Sequence, residues 1–305
     1  MAVSVQQTFC AEVSNACEES LAATASRVDH WILVEYRGLW DRDVLGGSLL
    51  SEELKAHLRD QLGQLPHSRL LFVKKPELRR KGRGLVYFGS SRPGEERFFE
   101  LQFERHDDLA ALDFVGALRG AETPGVPVEH PLHVVCTHGK RDRCCAKYGR
   151  PLYDRLCRET NSAWVWQSTH VGGDRFAGNV VCLPEGLYYG RVEEEDVRPL
   201  LDAYEAGEVW LDGYRGRSGY TFAVQAAERA VREATRVAAI DGVELVGVRA
   251  RPDQGWTVQL RAGRTLHEVD VVAERAEEAV YLTCGSVTPQ HARRYRATDH
   301  RVLAR

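Results

Sequence analysis

The chain has 305 residues, 43% hydrophobic and 28% charged, with a formal net charge of −3. This is the profile of a globular protein with two or three domains, a real core and no need of disulfides, and its charge offers no pull toward nucleic acid or an anionic membrane. The opening MAVSVQQTFCAEVSNACEES lacks a positive start followed by an apolar run, and no stretch reaches the roughly 18 apolar residues of a membrane span. Neither a signal peptide nor a membrane anchor is expected, and the expected compartment is the cytoplasm.

HWILVEYRG (30–38) reads as a buried strand, and SEELKAHLRDQL (51–62) as an amphipathic helix with leucines every fourth residue and Ser51 as its candidate cap. RLLFVKK (69–75), GLVYFGS (84–90) and ERFFELQFE (96–104) are strand candidates rich in aromatic and branched residues. The basic connector PELRRKGRG (76–84) reads first as a solvated loop. A Gly/Pro-rich hinge, GAETPGVPVEHP (120–131), then interrupts the pattern.

Beyond it the order repeats. LHVVCTHG (132–139) is a strand running into a loop, CAKYGRPLYDRLCRE (145–159) a helix, and WVWQSTHVGG (164–173) a strand ending in a glycine pair. NVVCLPEGLYYGRV (179–192) reads as a hairpin and EEEDVRPLLDAYEAG (193–207) as a helix with acids crowding its first turn. Strand, helix, strand, hairpin, helix is the order of a thioredoxin-like domain, and the first half reads as a worn copy of it. Residues 217–238 form the clearest helix, with Ser218 a candidate cap, and GYRGRSG (213–219) before it reads as a structural turn. The remainder alternates with period two, as an antiparallel sheet does, and ends in the basic tail HARRYRATDHRVLAR. The expected class is α/β (α+β). A degenerate thioredoxin-like domain covers 1–125, a second one 126–215, and a small helix-plus-antiparallel-sheet module 216–305.

Of the eight cysteines, five lie between 136 and 182, too clustered for chance in a compartment that does not favour disulfides. In CTHGKRDRCC, Cys136 leaves a strand and Cys144 and Cys145 return eight and nine residues later. Gly139 and the charged KRDR make the chain loop, so a second thiolate can approach the first, and thiolate pairs are soft donors suited to iron. In THVGGDRFAGN, His170 ends the next strand and Asp174 follows four residues on, with glycines at 172 and 173 that let backbone approach a bulky group.

These two motifs, with FCAEV, LAATASRV, LYYGRV and YRGRSGY, resemble the sucrase/ferredoxin-like family over nearly the whole chain. The resemblance implies thioredoxin-like ferredoxins that hold a [2Fe–2S] cluster with the pattern C-x8-C and H-x3-H. Carried over by position, it implies Cys136, Cys145 and His170 as ligands. Where the family has its second histidine this chain has Asp174, so three outcomes stand open: Asp174 ligates, Cys144 substitutes for it, or the cluster is absent or labile. Mixed ligation implies a reduction potential above that of an all-cysteine cluster, and an aspartate in place of a histidine lowers it again. An exposed His170 would be able to couple electron to proton transfer.

The implied activity is one-electron transfer to a redox partner protein. Two other readings compete: a thiol redox enzyme using Cys136 or the Cys144–Cys145 pair, although no C-x-x-C is present, and a zinc-binding interaction module. No pair of carboxylates can be given acid and nucleophile roles, so sugar hydrolysis is not expected. His138 reads as a hydrogen-bond donor to the centre, with Arg141 and Arg175 flanking it. Cys157, Cys182 and His133 read as core residues, Cys10 and Cys17 as thiols with no second pair nearby, and Asp174–Arg175 in isolation as a surface ion pair.

Overall fold

The computed structural model describes residues 9–75, 83–120 and 122–304. The chain opens on a short helix, α1 (Cys10–Ala16), and its first apolar run becomes β1 (His30–Glu35), buried along its whole length. In α2 (Glu52–Gln64), Ser51 is the cap, accepting a hydrogen bond from Leu54 N that the helix itself leaves unpaired. β2 (Ser68–Lys74), β3 (Gly84–Ser90), β4 (Arg97–Phe103) and a short helix, α3 (Phe114–Leu118), follow. Most of the basic connector, residues 76–82, lies outside the described residues. The Gly/Pro-rich hinge contains a short strand, β5 (Val126–Pro127), on the β4 edge, a position where the missing proline N–H costs nothing.

The second half runs β6 (Leu132–Cys136), α4 (Arg143–Glu159), β7 (Val165–Ser168), β8 (Val180–Leu183), β9 (Leu187–Tyr189) and α5 (Val197–Glu205). Its strand pairing matches that of the first half. β1 is parallel to β2 and antiparallel to β3, which pairs antiparallel with β4; β6, β7, β8 and β9 stand in the same relations. The segment read as a turn is a strand, β10 (Tyr214–Arg217), pairing with β9. Because β2 also pairs with β7, all ten strands form one mixed sheet, in the order β10-β9-β8-β6-β7-β2-β1-β3-β4-β5.

Strand alternation divides the core. Ile32 and Val34 of β1 pack under α2 and α3, and Val135 of β6 packs under α4 and α5. The opposite faces, with Trp31 and Leu33 from one half and Val134 and Cys136 from the other, share a single inner core. The sheet therefore curls on itself, and the candidate site lies at one edge of that inner core.

α6 (Phe222–Thr235) begins three residues later than Ser218 would place it, and Thr221 is its cap, accepting from Val224 N. Arg217 is held in β10, which delays the helix. The helix lays Ala223, Val224, Ala227 and Val231 on a four-stranded antiparallel sheet of β11 (Val243–Ala250), β12 (Trp256–Ala262), β13 (Thr265–Val280) and β14 (Gln290–Ala304). The basic tail is thus a strand. Its arginines face acids on β13, with Arg294 2.8 Å and Arg296 3.0 Å from Glu274, and Arg301 2.9 Å from Glu268.

Candidate metal centre

The loops after β6 and β7 leave from the carboxyl ends of two parallel strands, the edge where open α/β sheets place ligands. Cys136 ends β6 and points with Val134 into the inner core. Asp142 then caps α4, its carboxylate accepting from Cys144 N at 2.8 Å, so the helix begins at once and presents Cys145 on its first turn. The helix comes this close because residue 149 is glycine: a Cβ there would stand 2.0 Å from Cys136 O.

The glycine loop after β7 delivers the other two groups. Gly173 has φ +82° and leads into a single 3-10 turn, Asp174–Phe176, that brings Asp174 back to His170. Buried Arg215 braces the loop, donating to Gly172 O at 3.0 Å, Asn179 Oδ1 at 2.7 Å and Thr24 O at 2.6 Å. Burial lowers its guanidinium to about 10, still charged at neutral pH. Asn179 Nδ2 in turn donates to Gly173 O at 2.9 Å.

The sequence-predicted residues meet. His170 Nδ1 is 2.9 Å from Asp174 Oδ1, 3.9 Å from Cys145 Sγ and 4.0 Å from Cys136 Sγ. Cys145 Sγ is 3.3 Å from Asp174 Oδ1. Both thiols and the aspartate are buried, whereas the His170 side chain is 22% exposed, which makes the imidazole the edge of the site that solvent reaches.

Charge is shared unevenly among these groups. The hydrogen bond with Cys145 holds the Cys136 thiol well below its ordinary value, and His170 adds to this against the cost of burial. Cys145 is pushed up by the same shared proton and by burial. Burial alone would lower His170, but Asp174 and Cys136 outweigh it and raise the imidazole to about 9. Burial would likewise raise Asp174, yet its contacts with His170 leave it below the usual carboxylate value. The site is built to carry negative charge on sulfur and carboxylate beside an imidazole.

Several expectations change here. Asp174 is no surface ion pair: it faces His170, and Arg175 pairs with Glu19 at 2.8 Å. Cys144, the alternative fourth ligand, points away from this group, because successive helical residues project about 100° apart; its Sγ is 3.3 Å from Cys284 Sγ instead. His138 makes no hydrogen bond from either ring nitrogen, and its ring lies edge-on to Trp40 at 5.8 Å. Cys10 is separate from Cys17 and lies beside Cys144, with Sγ atoms 3.5 Å apart. Cys182 and His133 are core residues in contact, Nδ1 to Sγ 3.3 Å, and Cys157 packs against the α4–α5 core. Sequence reasoning missed Arg215 and Asn179 as the braces of the histidine loop, although both lie in motifs it singled out.

The donor chemistry fits a thiolate-held metal or a [2Fe–2S] cluster. Cys136 Sγ, Cys145 Sγ and the His170 imidazole all lie within 4.8 Å of one another, and Asp174 Oδ1 lies 3.3 Å from Cys145 Sγ. Burial keeps the imidazole of His138, on the loop between Cys136 and Cys145, below its ordinary value.

A family model described as sucrase/ferredoxin-like matches residues 21–216. Among curated proteins, the chain is similar to several named altered inheritance of mitochondria protein 32. The one from Meyerozyma guilliermondii is 43% identical over 96 residues, covering 28% of this chain and 34% of the relative. That from Debaryomyces hansenii is 32% identical over 95 residues, covering 28% and 35%. That from Saccharomyces cerevisiae is 29% identical over 100 residues, covering 28% and 31%. The chain thus spans about a third of the length of the curated relatives it matches. No solved structure matches it significantly.

Proposed function

The chain belongs to the sucrase/ferredoxin-like family, and from that premise we propose that it is a one-electron carrier whose [2Fe–2S] cluster is held by Cys136, Cys145, His170 and Asp174. One observation carries the reading: two buried thiols and an imidazole lie within 4.8 Å of one another, and the Asp174 carboxylate touches Cys145 and His170. The cluster supplies reversible one-electron chemistry. The protein's part is to favour the thiolate at Cys136, to shield both sulfurs from water, and to leave His170 as the solvent-facing edge. A redox partner protein would dock over that edge, where the path to the centre is shortest. Asp174 adds a negative charge where a second imidazole would be neutral, which favours the oxidised state.

The repeated pairing of β1–β4 and β6–β9 supports tandem thioredoxin-like units over 1–125 and 126–215, followed by the module 216–305. The proposal includes a cytoplasmic location, because thiolate-held centres need a compartment that keeps cysteines reduced. No helix among the described residues is long and apolar enough to cross a membrane.

The second reading is a mononuclear zinc centre at the same residues, favoured by the close mutual approach of its three soft donors. Anaerobic purification separates the two. The iron–sulfur reading expects a coloured protein with iron and acid-labile sulfide in equal amounts, bleached by dithionite and colourless as Cys136→Ser. Zinc without sulfide, or colour that survives Cys136→Ser, would overturn it.

A further inference from the structure

A second group of thiols lies on the other side of the α4 N-terminus. Cys10 opens α1, Cys144 lies on the first turn of α4, and Cys284 sits in the turn between β13 and β14. Their sulfurs form a nearly equilateral triangle: 3.5 Å from Cys10 to Cys144, 3.3 Å from Cys144 to Cys284 and 3.6 Å from Cys284 to Cys10. The Asp142 carboxylate completes the group, both oxygens 3.9 Å from Cys10 Sγ.

Backbone amides are turned toward this group. Asp142 accepts from Cys144 N at 2.8 Å and Cys284 N at 2.6 Å, which fixes the plane of its carboxylate. Ala11 N points at Cys144 Sγ, 3.4 Å away, and Cys10 N at Cys284 Sγ, 3.5 Å away. A neutral thiol is a weak acceptor, so amides spent on sulfur make physical sense when the sulfur is a thiolate. Cys10 and Cys144 are fully buried, and Phe9, Tyr148 and Tyr281 pack around the group.

A disulfide explains the triangle poorly, because bonding one pair would bring it to about 2.05 Å and strand the third thiol. A tetrahedral metal explains it directly. With metal–sulfur bonds of about 2.3 Å, the sulfurs of one tetrahedron stand about 3.8 Å apart. The triangle's edges are about 0.2 to 0.5 Å shorter than that, so a metal needs only a small spreading of the three sulfurs.

We propose that Cys10, Cys144, Cys284 and Asp142 form a structural zinc site, distinct from the centre at Cys136–Asp174. Three soft thiolates with one carboxylate select zinc, and a full set of four protein ligands leaves no open position for catalysis. The site staples α1 and the β13–β14 hairpin to the first turn of α4. Cys10 and Cys284 are 274 residues apart, so the metal closes a loop around nearly the whole chain. It also anchors the helix turn that carries Cys145, and so steadies one ligand of the neighbouring centre.

The test is the metal content of the full chain, purified anaerobically and passed through EDTA. About one zinc per chain is expected to remain. Cys10→Ser and Cys284→Ser should each lower it at least tenfold, while Cys17→Ser leaves it unchanged. Cys136→Ser, which removes the neighbouring centre, should also retain one zinc. Two zincs in the wild type falling to one in Cys136→Ser would refute the iron–sulfur reading and still support this site. To guard against misfolded variants, cobalt-grown Cys136→Ser protein should show the intense visible bands of tetrahedral thiolate-bound cobalt, lost on adding Cys284→Ser with an unchanged circular dichroism spectrum. A wild type free of zinc, or zinc unchanged in a Cys10→Ser/Cys284→Ser double variant, would overturn the proposal.

Discussion

Cys144 and Cys145 are adjacent on the first turn of α4, yet their thiols face different chemistry: Cys144 Sγ lies 3.3 Å from Cys284 Sγ, and Cys145 Sγ lies 3.3 Å from Asp174 Oδ1. A helix turns about 100° per residue, so the two neighbouring thiols leave it in different directions. The doublet is thus a divider between two groups of ligands.

This division predicts unlike phenotypes for two nearly identical substitutions. Cys145→Ser should abolish the visible absorption of the anaerobic protein. Cys144→Ser should keep the shape of that spectrum and lose the tether of α1 and the β13–β14 hairpin, read as faster proteolysis near both chain ends. Equal bleaching by the two changes would contradict the arrangement.

Asp174 stands where the family pattern has histidine and is buried against His170 Nδ1 at 2.9 Å. Asp174→His replaces an anionic donor by a neutral one, so the reduction potential should rise by on the order of a hundred millivolts. Protein-film voltammetry of the two proteins measures it, and an unchanged potential would place Asp174 outside the ligand set.

His133 gives a stability prediction away from the metal. It is wholly buried in β6, and burial lowers its imidazole to about 4. In the unfolded chain the same group titrates near 6.5, so between those values the unfolded state binds a proton that the folded state refuses. Stability should therefore fall as pH drops from about 6.5 toward 4, by up to about 3 kcal/mol from this one residue. Urea unfolding across that range should show a shallower fall for His133→Gln.

Glu228 and Arg232 form a fully buried ion pair on α6 at 3.0 Å, with the Tyr214 hydroxyl donating to Glu228 at 2.9 Å. Glu228→Ala strands a buried guanidinium and should cost about 3–5 kcal/mol, seen as a lowered urea midpoint. A loss below about 1 kcal/mol would mean that the carbonyls of Ala239 and Ile240, which Arg232 also reaches at 2.8 and 2.9 Å, suffice alone.

Much of the fold follows from short-range pattern. β1 is an unbroken apolar run, α2 carries its leucines every fourth residue behind Ser51, and β8–β9 are two apolar runs around a Pro-Glu-Gly turn. The tail after Gln290 reads only as a basic run when its partner strand is not in view. Its arginines look solvated until Glu268 and Glu274 of β13 are set opposite them. GYRGRSG was misread for the same reason, since Arg215 and Arg217 are buried only because Thr24, Gly172 and Ile240 offer carbonyls from elsewhere.

The sequence by itself singled out Cys136, Cys145, His170 and Asp174, because they sit in two compact motifs whose glycines and spacing are local properties. Only the tertiary structure decided that Cys144 turns away from that group, and only that structure brought Cys10 and Cys284 to Cys144. Local pattern sets which way a side chain leaves its own helix or strand. Which distant chain end it meets there depends on how whole elements pack, and no spacing along the chain records that.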